Sequence, residues 1–147
     1  MEFLIDRVTT ASFPDAVLLA ARLWPEHSLE DLAEALGELL KRPDAALFLA
    51  CMESRPVGFA QCQLRWDYVE GTSHSPVGYL EGVYVEPDCR RRGIAKQLLN
   101  TCEAWAGARG CLEFASDCGL ENRESLGFHL GAGFAEANRI ICFVKKL

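Results

Sequence analysis

The chain has 147 residues, 50% of them hydrophobic, and a formal net charge of −6. That is enough apolar material for one domain with a core of its own, while the acidic balance argues against nucleic acid, whose phosphates call for a basic patch, and for a cationic partner. No apolar run is long enough for a membrane span, and Met1-Glu2-Phe3-Leu4-Ile5-Asp6-Arg7 lacks a charged-then-apolar leader, so the expectation is a soluble, cytoplasmic, single domain over residues 1–147.

Residues 3–8 alternate as a first strand. Ser12, with Asp15 three residues on and Pro14 in the first turn, starts a helix from about residue 13 to 24, ended by Pro25. Ser28 with Asp31 forms a second capping box ahead of Leu29, Leu32, Ala33, Leu36, Leu39 and Leu40, spaced for one buried helix face and closed by Pro43-Asp44. Residues 46–52 and 57–64 read as two strands of a hairpin around Glu53-Ser54-Arg55-Pro56, and residues 66–76 as a polar loop. Next come a strand over 78–85, a helix over 93–108 with Gly110 past its end, and a strand over 112–116. A short helix over 122–130, stopped by Gly131-Ala132-Gly133, and a last strand over 138–144 complete the chain. This order predicts an α/β (α+β) protein, a mixed central sheet with helices on both faces. Seven cysteines show no C-x-x-C pair and no zinc spacing, so they read as reduced and mostly buried, and no metal is expected.

Arg90-Arg91-Arg92-Gly93-Ile94-Ala95 stands between the strand Tyr79-Leu80-Glu81-Gly82-Val83-Tyr84-Val85 and a helix carrying Ile94, Leu98, Leu99, Cys102 and Trp105 at helical spacing. The first amides of a helix lack intrahelical partners and share the positive end of its dipole, so a polyphosphate is well met there. Arginine adds permanently charged, fork-shaped donors, and Gly93 and Ala95 keep side chains out of the way. With Lys96, these arginines are a basic exception in an acidic chain, which suits one anionic ligand beside one cationic ligand. Neither a Walker-type phosphate loop nor a dinucleotide fingerprint is present.

Arg90, Gly93 and Ala95 meet the pattern R/Q-x-x-G-x-G/A, and the segment resembles the acyl-CoA signature of the GNAT superfamily of N-acyltransferases. Asn122, Ser125, Phe128, His129, Gly133 and Phe134 resemble a second stretch of that superfamily, with His129 where many members have tyrosine. Leu23-Trp24-Pro25 with His27, Asp67-Tyr68-Val69-Glu70-Gly71 with Ser75-Pro76, Ala115-Ser116-Asp117, and Gly133-Phe134 with Glu136 are similar to the small chromosomal aminoglycoside 6'-N-acetyltransferases. The resemblance implies the GNAT acyl-CoA N-acyltransferase fold, acetyl-CoA as co-substrate, a cationic aminoglycoside acetylated on its 6'-amine, and a homodimer. It implies a CoA site of Arg90, Arg91, Arg92, Gly93, Ile94, Ala95, Lys96 and Asn122, with backbone groups of Val83 and Val85 along the pantetheine arm. By the same resemblance the Val83 amide polarises the thioester carbonyl, and a bulge at Gly82 splays its strand from the next.

Transfer of acetyl to an amine needs a neutral amine, stabilisation of charge on the carbonyl oxygen, and a proton for the departing thiolate. Strand alternation groups Tyr79, Glu81, Val83 and Val85 on one face and Leu80, Gly82 and Tyr84 on the other. Glu81 is thus a carboxylate in an apolar ladder, either ion-paired with a nearby arginine or directed into the cleft to bind ammonium groups or relay a proton. Asp117 reads as a turn residue, or, by the resemblance, as acceptor-binding group and base. Tyr68, Glu70 and Glu136, ordinary surface residues singly, would join Glu81 and Asp117 in an acidic pocket for a polycation. Trp24 and His27 are read as an apolar wall and a donor to sugar hydroxyls, with core packing the alternative for Trp24. His129 has three readings: a core histidine, an exposed one, or the general acid near the thiolate. A covalent route through Cys118 with His129 and Asp117 is the mechanistic rival. Rival functions are acetylation of another polyamine or a peptide amine, and a non-catalytic acyl-CoA sensor.

Overall fold

The computed structural model describes residues 2–147. The elements run β1 (Leu4–Arg7), α1 (Phe13–Leu23), α2 (Leu29–Leu40), β2 (Ala45–Met52), β3 (Arg55–Arg65), β4 (Val77–Val85), a 3-10 turn (Pro87–Cys89), α3 (Ile94–Ala108), β5 (Phe114–Ser116) and α4 (Arg123–Gly131). The sheet has the order β1-β2-β3-β4-β5, antiparallel except for the parallel β4–β5 pair. This is the mixed sheet predicted from the element order.

β2 shows why the layers form. Its run of apolar residues supplies both faces: Ala46, Phe48, Ala50 and Met52 join the core under α3, while Leu47 and Leu49 join the core under α1 and α2. A strand buried on both sides has to read as continuous apolar sequence. α3 contributes Ile94, Leu98, Leu99, Cys102 and Trp105 to the first core, and α1 and α2 contribute Ala16, Leu19, Ala20, Leu32 and Leu36 to the second. A third, small cluster of Val69, Val77 and Tyr79 with Ala115 anchors the loop ahead of β4. That loop is further tied to the entry of β5, because the Ser73 and His74 amides donate to Glu113 Oε1 at 2.8 and 2.9 Å.

The two expected caps behave differently. Ser28 Oγ accepts from the Asp31 amide at 3.0 Å, as a capping box requires. Ser12 makes no cap hydrogen bond; its Oγ instead accepts from the Thr9 amide at 2.9 Å, so the serine closes the turn before the helix rather than the helix itself. The cysteines are all unpaired; Cys62, Cys89 and Cys102 are buried, whereas Cys118 and Cys142 are exposed.

The strand expected over residues 138–144 is not formed. A strand needs a ladder partner, and among the described residues this segment pairs with none, although β5 lies at an open sheet edge. Its apolar side chains are consequently bare, with Phe143 91% and Val144 94% exposed.

Candidate active site

The site begins with a departure from regular pairing. On the β3 side, Gln61 pairs with Gly82 and Cys62 with Leu80, so Glu81 is an extra residue without a partner. The bulge therefore lies at Glu81 against β3, one residue from Gly82 and on the opposite edge from that expected. It also resets the alternation: Leu80 shares a core with Val83 and Val85, while Gly82 faces Trp24 and Leu23. A Cβ on Gly82 would lie 2.6 Å from the Trp24 ring, so the glycine answers a close approach.

β5 accompanies β4 only from Gly78 to Leu80, where the last pair is Leu80 with Ser116. Beyond it the two strands part, and the β4 backbone from Glu81 onward has an open edge. Its polarity follows from one hydrogen bond: the Glu86 amide donates to Val57 O at 2.8 Å, toward β3. Backbone groups alternate in direction along an extended strand, so those of Tyr84 point the same way, and those of Val83 and Val85 point into the open fork. The carbonyl of Val85 is taken there by Arg90 Nε at 2.8 Å. Among the described residues the Val83 amide and carbonyl have no hydrogen-bond partner on the fork side.

At the far end of the fork is the N-terminus of α3, whose first amides have no intrahelical partner. Gly93, at φ +81°, and Arg91, at φ +65°, turn the chain sharply into the helix. Arg90 is a brace: besides its bond to Val85 it reaches Glu124 at 3.4 Å and lies over the Tyr84 ring. Arg91, Arg92 and Lys96 are exposed and available to phosphate. Ile94 is buried, so only its amide is available, and Ala95 is half-buried. Asn122 spends its Oδ1 on capping α4, accepting from the Ser125 amide at 3.0 Å.

On the other side of the fork lies a cavity of about 1120 Å³ whose lining includes Tyr68, Glu70, Asp117, His129 and Glu136. Three of its acidic groups are held by neighbours: Glu70 accepts from Asn138 Nδ2 at 2.8 Å, Glu136 from Arg139 Nε at 2.7 Å, and Asp117 from the Tyr79 hydroxyl. Tyr68 reaches Glu70 at 3.3 Å. Glu81 is paired bidentately with Arg65, whose Nε and Nη2 donate at 3.0 and 2.8 Å. The fork thus separates an exposed cationic helix start from a cavity rich in carboxylates.

A family model described as the acetyltransferase (GNAT) family matches residues 10–134. The chain belongs to the GNAT acetyltransferase family. It is 40% identical over 141 residues to an aminoglycoside N(6')-acetyltransferase type 1 of Acinetobacter genomosp. 13, covering 95% of this chain and 96% of that protein. It superposes with a TM-score of 0.96 and 35% identity on AAC(6')-Iy in complex with the bisubstrate analogue CoA-S-monomethyl-acetylneamine, covering both chains completely, 100% each. The 6'-N-acetyltransferase AAC(6')-IG of Acinetobacter haemolyticus gives 0.94 and 36%, over 98% of this chain and 99% of the other.

Within this GNAT fold His129, on the cavity wall, has both ring nitrogens engaged. Nδ1 lies 2.7 Å from Ser125 O, which only accepts, so Nδ1 carries a proton; Nε2 lies 2.8 Å from Ser116 Oγ. The Ser116 hydroxyl has a second acceptor in Leu80 O at 3.3 Å, at the point where β4 and β5 part. Cys118 lines the same cavity, and among the described residues no hydrogen bond joins it to His129. Trp24 and His27 do not line the cavity: Trp24 packs edge-on against Phe59 and over Gly82, and His27 is exposed beside Glu26. Sequence reasoning missed Arg65, Tyr79 and Ser116. For Tyr79 the available signal was its position two residues before a buried-strand carboxylate; for Arg65, whose contact depends on the register of β3 against β4, there was none.

Proposed function

We propose that this protein is an aminoglycoside 6'-N-acetyltransferase that transfers acetyl from acetyl-CoA to the 6'-amine by direct attack in a ternary complex, conferring resistance to the drug. The observation that carries the reading is the arrangement of opposite charges across one fork. An N-terminal helix start with Arg91, Arg92 and Lys96 meets a pyrophosphate on one side, and a cavity with Asp117, Glu70 and Glu136 meets a polycationic sugar on the other. Between them the Val83 amide faces the space where negative charge builds on a carbonyl oxygen, and an aimed backbone donor of this kind is among the larger contributions to acyl transfer. Asp117 binds the acceptor ammonium and takes its proton; Glu81 and His129 support that chemistry from the bulge and the cavity wall. Tyr68, Glu70 and Glu136 hold the remaining amines; Trp24 and His27 lie outside that cavity, and Trp24 serves packing instead. Direct transfer is favoured over a covalent route because the His129 nitrogens are committed to Ser125 and Ser116, leaving Cys118 without a base.

We read residues 1–147 as one domain, and the protein as cytoplasmic and homodimeric. Seven unpaired cysteines suit a reducing compartment, and among the described residues no helix is long and apolar enough to cross a membrane. A second copy is the natural cover for the bare apolar segment that includes Ile141, Phe143 and Val144, and for the open ladder of the edge strand β5.

Thiol release from acetyl-CoA across an acceptor panel tests the function. Turnover confined to aminoglycosides that carry a 6'-amine is expected. Turnover on polyamines or peptides alone would overturn the acceptor, and tight acetyl-CoA binding without thiol release would indicate a sensor.

A further inference from the structure

Four side chains from three strands form one continuous chain at the cavity mouth. Glu81, the unpaired residue of the bulge, is gripped at both oxygens by Arg65 from the end of β3. The Arg65 guanidinium carbon lies over the Tyr79 ring, 3.5 Å from its centroid, and the Tyr79 hydroxyl donates to Oδ2 of Asp117, just past the end of β5. Arg65, Tyr79 and Asp117 all line the cavity. A guanidinium fork satisfies a carboxylate in charge and in geometry, so Glu81 and Arg65 together are neutral. Tyrosine has one proton to give, and here it goes to one oxygen of Asp117. Among the described residues no cation is ion-paired with Asp117, so of the four groups it is the one whose charge is left unpaired.

We propose that Arg65 and Tyr79 are positioning residues for the acceptor-side carboxylates: Arg65 neutralises and fixes Glu81, and Tyr79 fixes Asp117 with its remaining oxygen directed at the acceptor's ammonium group. The proposal rests on the acceptor being a cationic aminoglycoside. It divides the labour between the two carboxylates: Glu81 shapes the bulge through its partner, and Asp117 is the anion that the acceptor meets. Burial, together with the neighbouring Asp117 carboxylate, pushes the Tyr79 hydroxyl well above the ordinary tyrosine value, so it stays a proton donor throughout the neutral and mildly alkaline range. Stacking on Arg65 holds the ring that presents that donor.

The test is Tyr79→Phe, which keeps the ring beneath Arg65 and deletes only the donor, made in the wild-type and the Asp117→Ala backgrounds. Steady-state constants for an aminoglycoside and for acetyl-CoA, acceptor affinity by calorimetry, and thermal unfolding are measured for each. In the wild-type background Tyr79→Phe should lower kcat/KM for the acceptor roughly tenfold, the scale of a hydrogen bond to a charged group, with the acetyl-CoA KM unchanged. In the Asp117→Ala background it should change acceptor affinity by less than about twofold, because the group it positions is gone. Equal losses in both backgrounds, or acceptor constants matching wild type, would overturn the positioning role while leaving the function intact. Wild-type protein that turns over no aminoglycoside would overturn the function, and this inference with it.

Discussion

Replacing Gly82 by alanine tests whether the first helix and the bulged strand are fitted to each other. In an ordinary strand the change stabilises by about 0.5–1 kcal/mol, because glycine loses more backbone freedom on folding. Here the added methyl would lie 2.6 and 2.8 Å from two atoms of the Trp24 ring and 2.9 Å from Leu23 Cδ2. The ring has little room to yield, since it packs edge-on against Phe59, which is 0% exposed, with centroids 6.3 Å apart. Overpacking of this kind costs about 1–3 kcal/mol, and the blocked retreat puts it in the upper half of that range. The net effect is a loss of about 1–2.5 kcal/mol, opposite in sign to the intrinsic preference. For a chain of this size that lowers Tm by roughly 2–10 °C. Thermal unfolding followed by circular dichroism reads the shift directly. In the Trp24→Leu background the same Gly82→Ala change should cost less than it does in wild type, because the shorter side chain vacates the space. A Tm for Gly82→Ala at or above wild type would refute the close packing of Trp24 on β4.

Arg91→Ala and Arg92→Ala should each raise the acetyl-CoA KM by about tenfold with the acceptor KM unchanged, as expected for lost charge-assisted bonds to phosphate; unchanged acetyl-CoA constants in both would remove the anion role of the loop. Arg90→Ala should instead lower Tm, because that side chain braces Val85 O and Glu124. The Ser73 and His74 amides and the His74 ring hold the Glu113 carboxyl below its ordinary value, so its contribution is fully present above about pH 4.5 and fades as pH falls through the lowered folded value. Denaturant titrations at pH 6 and pH 3 should therefore show the stability gap between wild type and Glu113→Gln narrowing at the lower pH, and a constant gap would deny the linkage. Sedimentation of the wild-type chain as a dimer, and of Ile141→Asp combined with Val144→Asp as a monomer, is the expected outcome of the proposed homodimer, whereas a dimer of undiminished stability in the double variant would show that this segment does not carry the interface.

How far the sequence could be read depended on the range of the interactions involved. β2 was legible as a strand and α2 as a helix, because apolar spacing and a nearby cap are local, and the Ser28 cap formed as read. The Ser12 cap failed for an equally local reason, since Thr9 offered that hydroxyl a competing partner. The loop ahead of α3 was legible as an exposed cationic helix start, yet the brace formed by Arg90 was hidden, because its partners, Val85 O and Glu124, are brought together only by the tertiary fold. The bulge was anticipated from Gly82 but belongs to Glu81, and only the pairing of β4 with β3 decides between neighbouring residues. That one-residue difference has a chemical consequence. As the unpaired residue of a bulge, Glu81 escapes the alternation that would have set it beside Val83 and Val85, and it meets Arg65 instead. The glycine that seemed to loosen the strand serves Trp24, and of the two readings of Glu81 the structure bears out the ion pair with an arginine, whose identity as Arg65 only the strand register reveals.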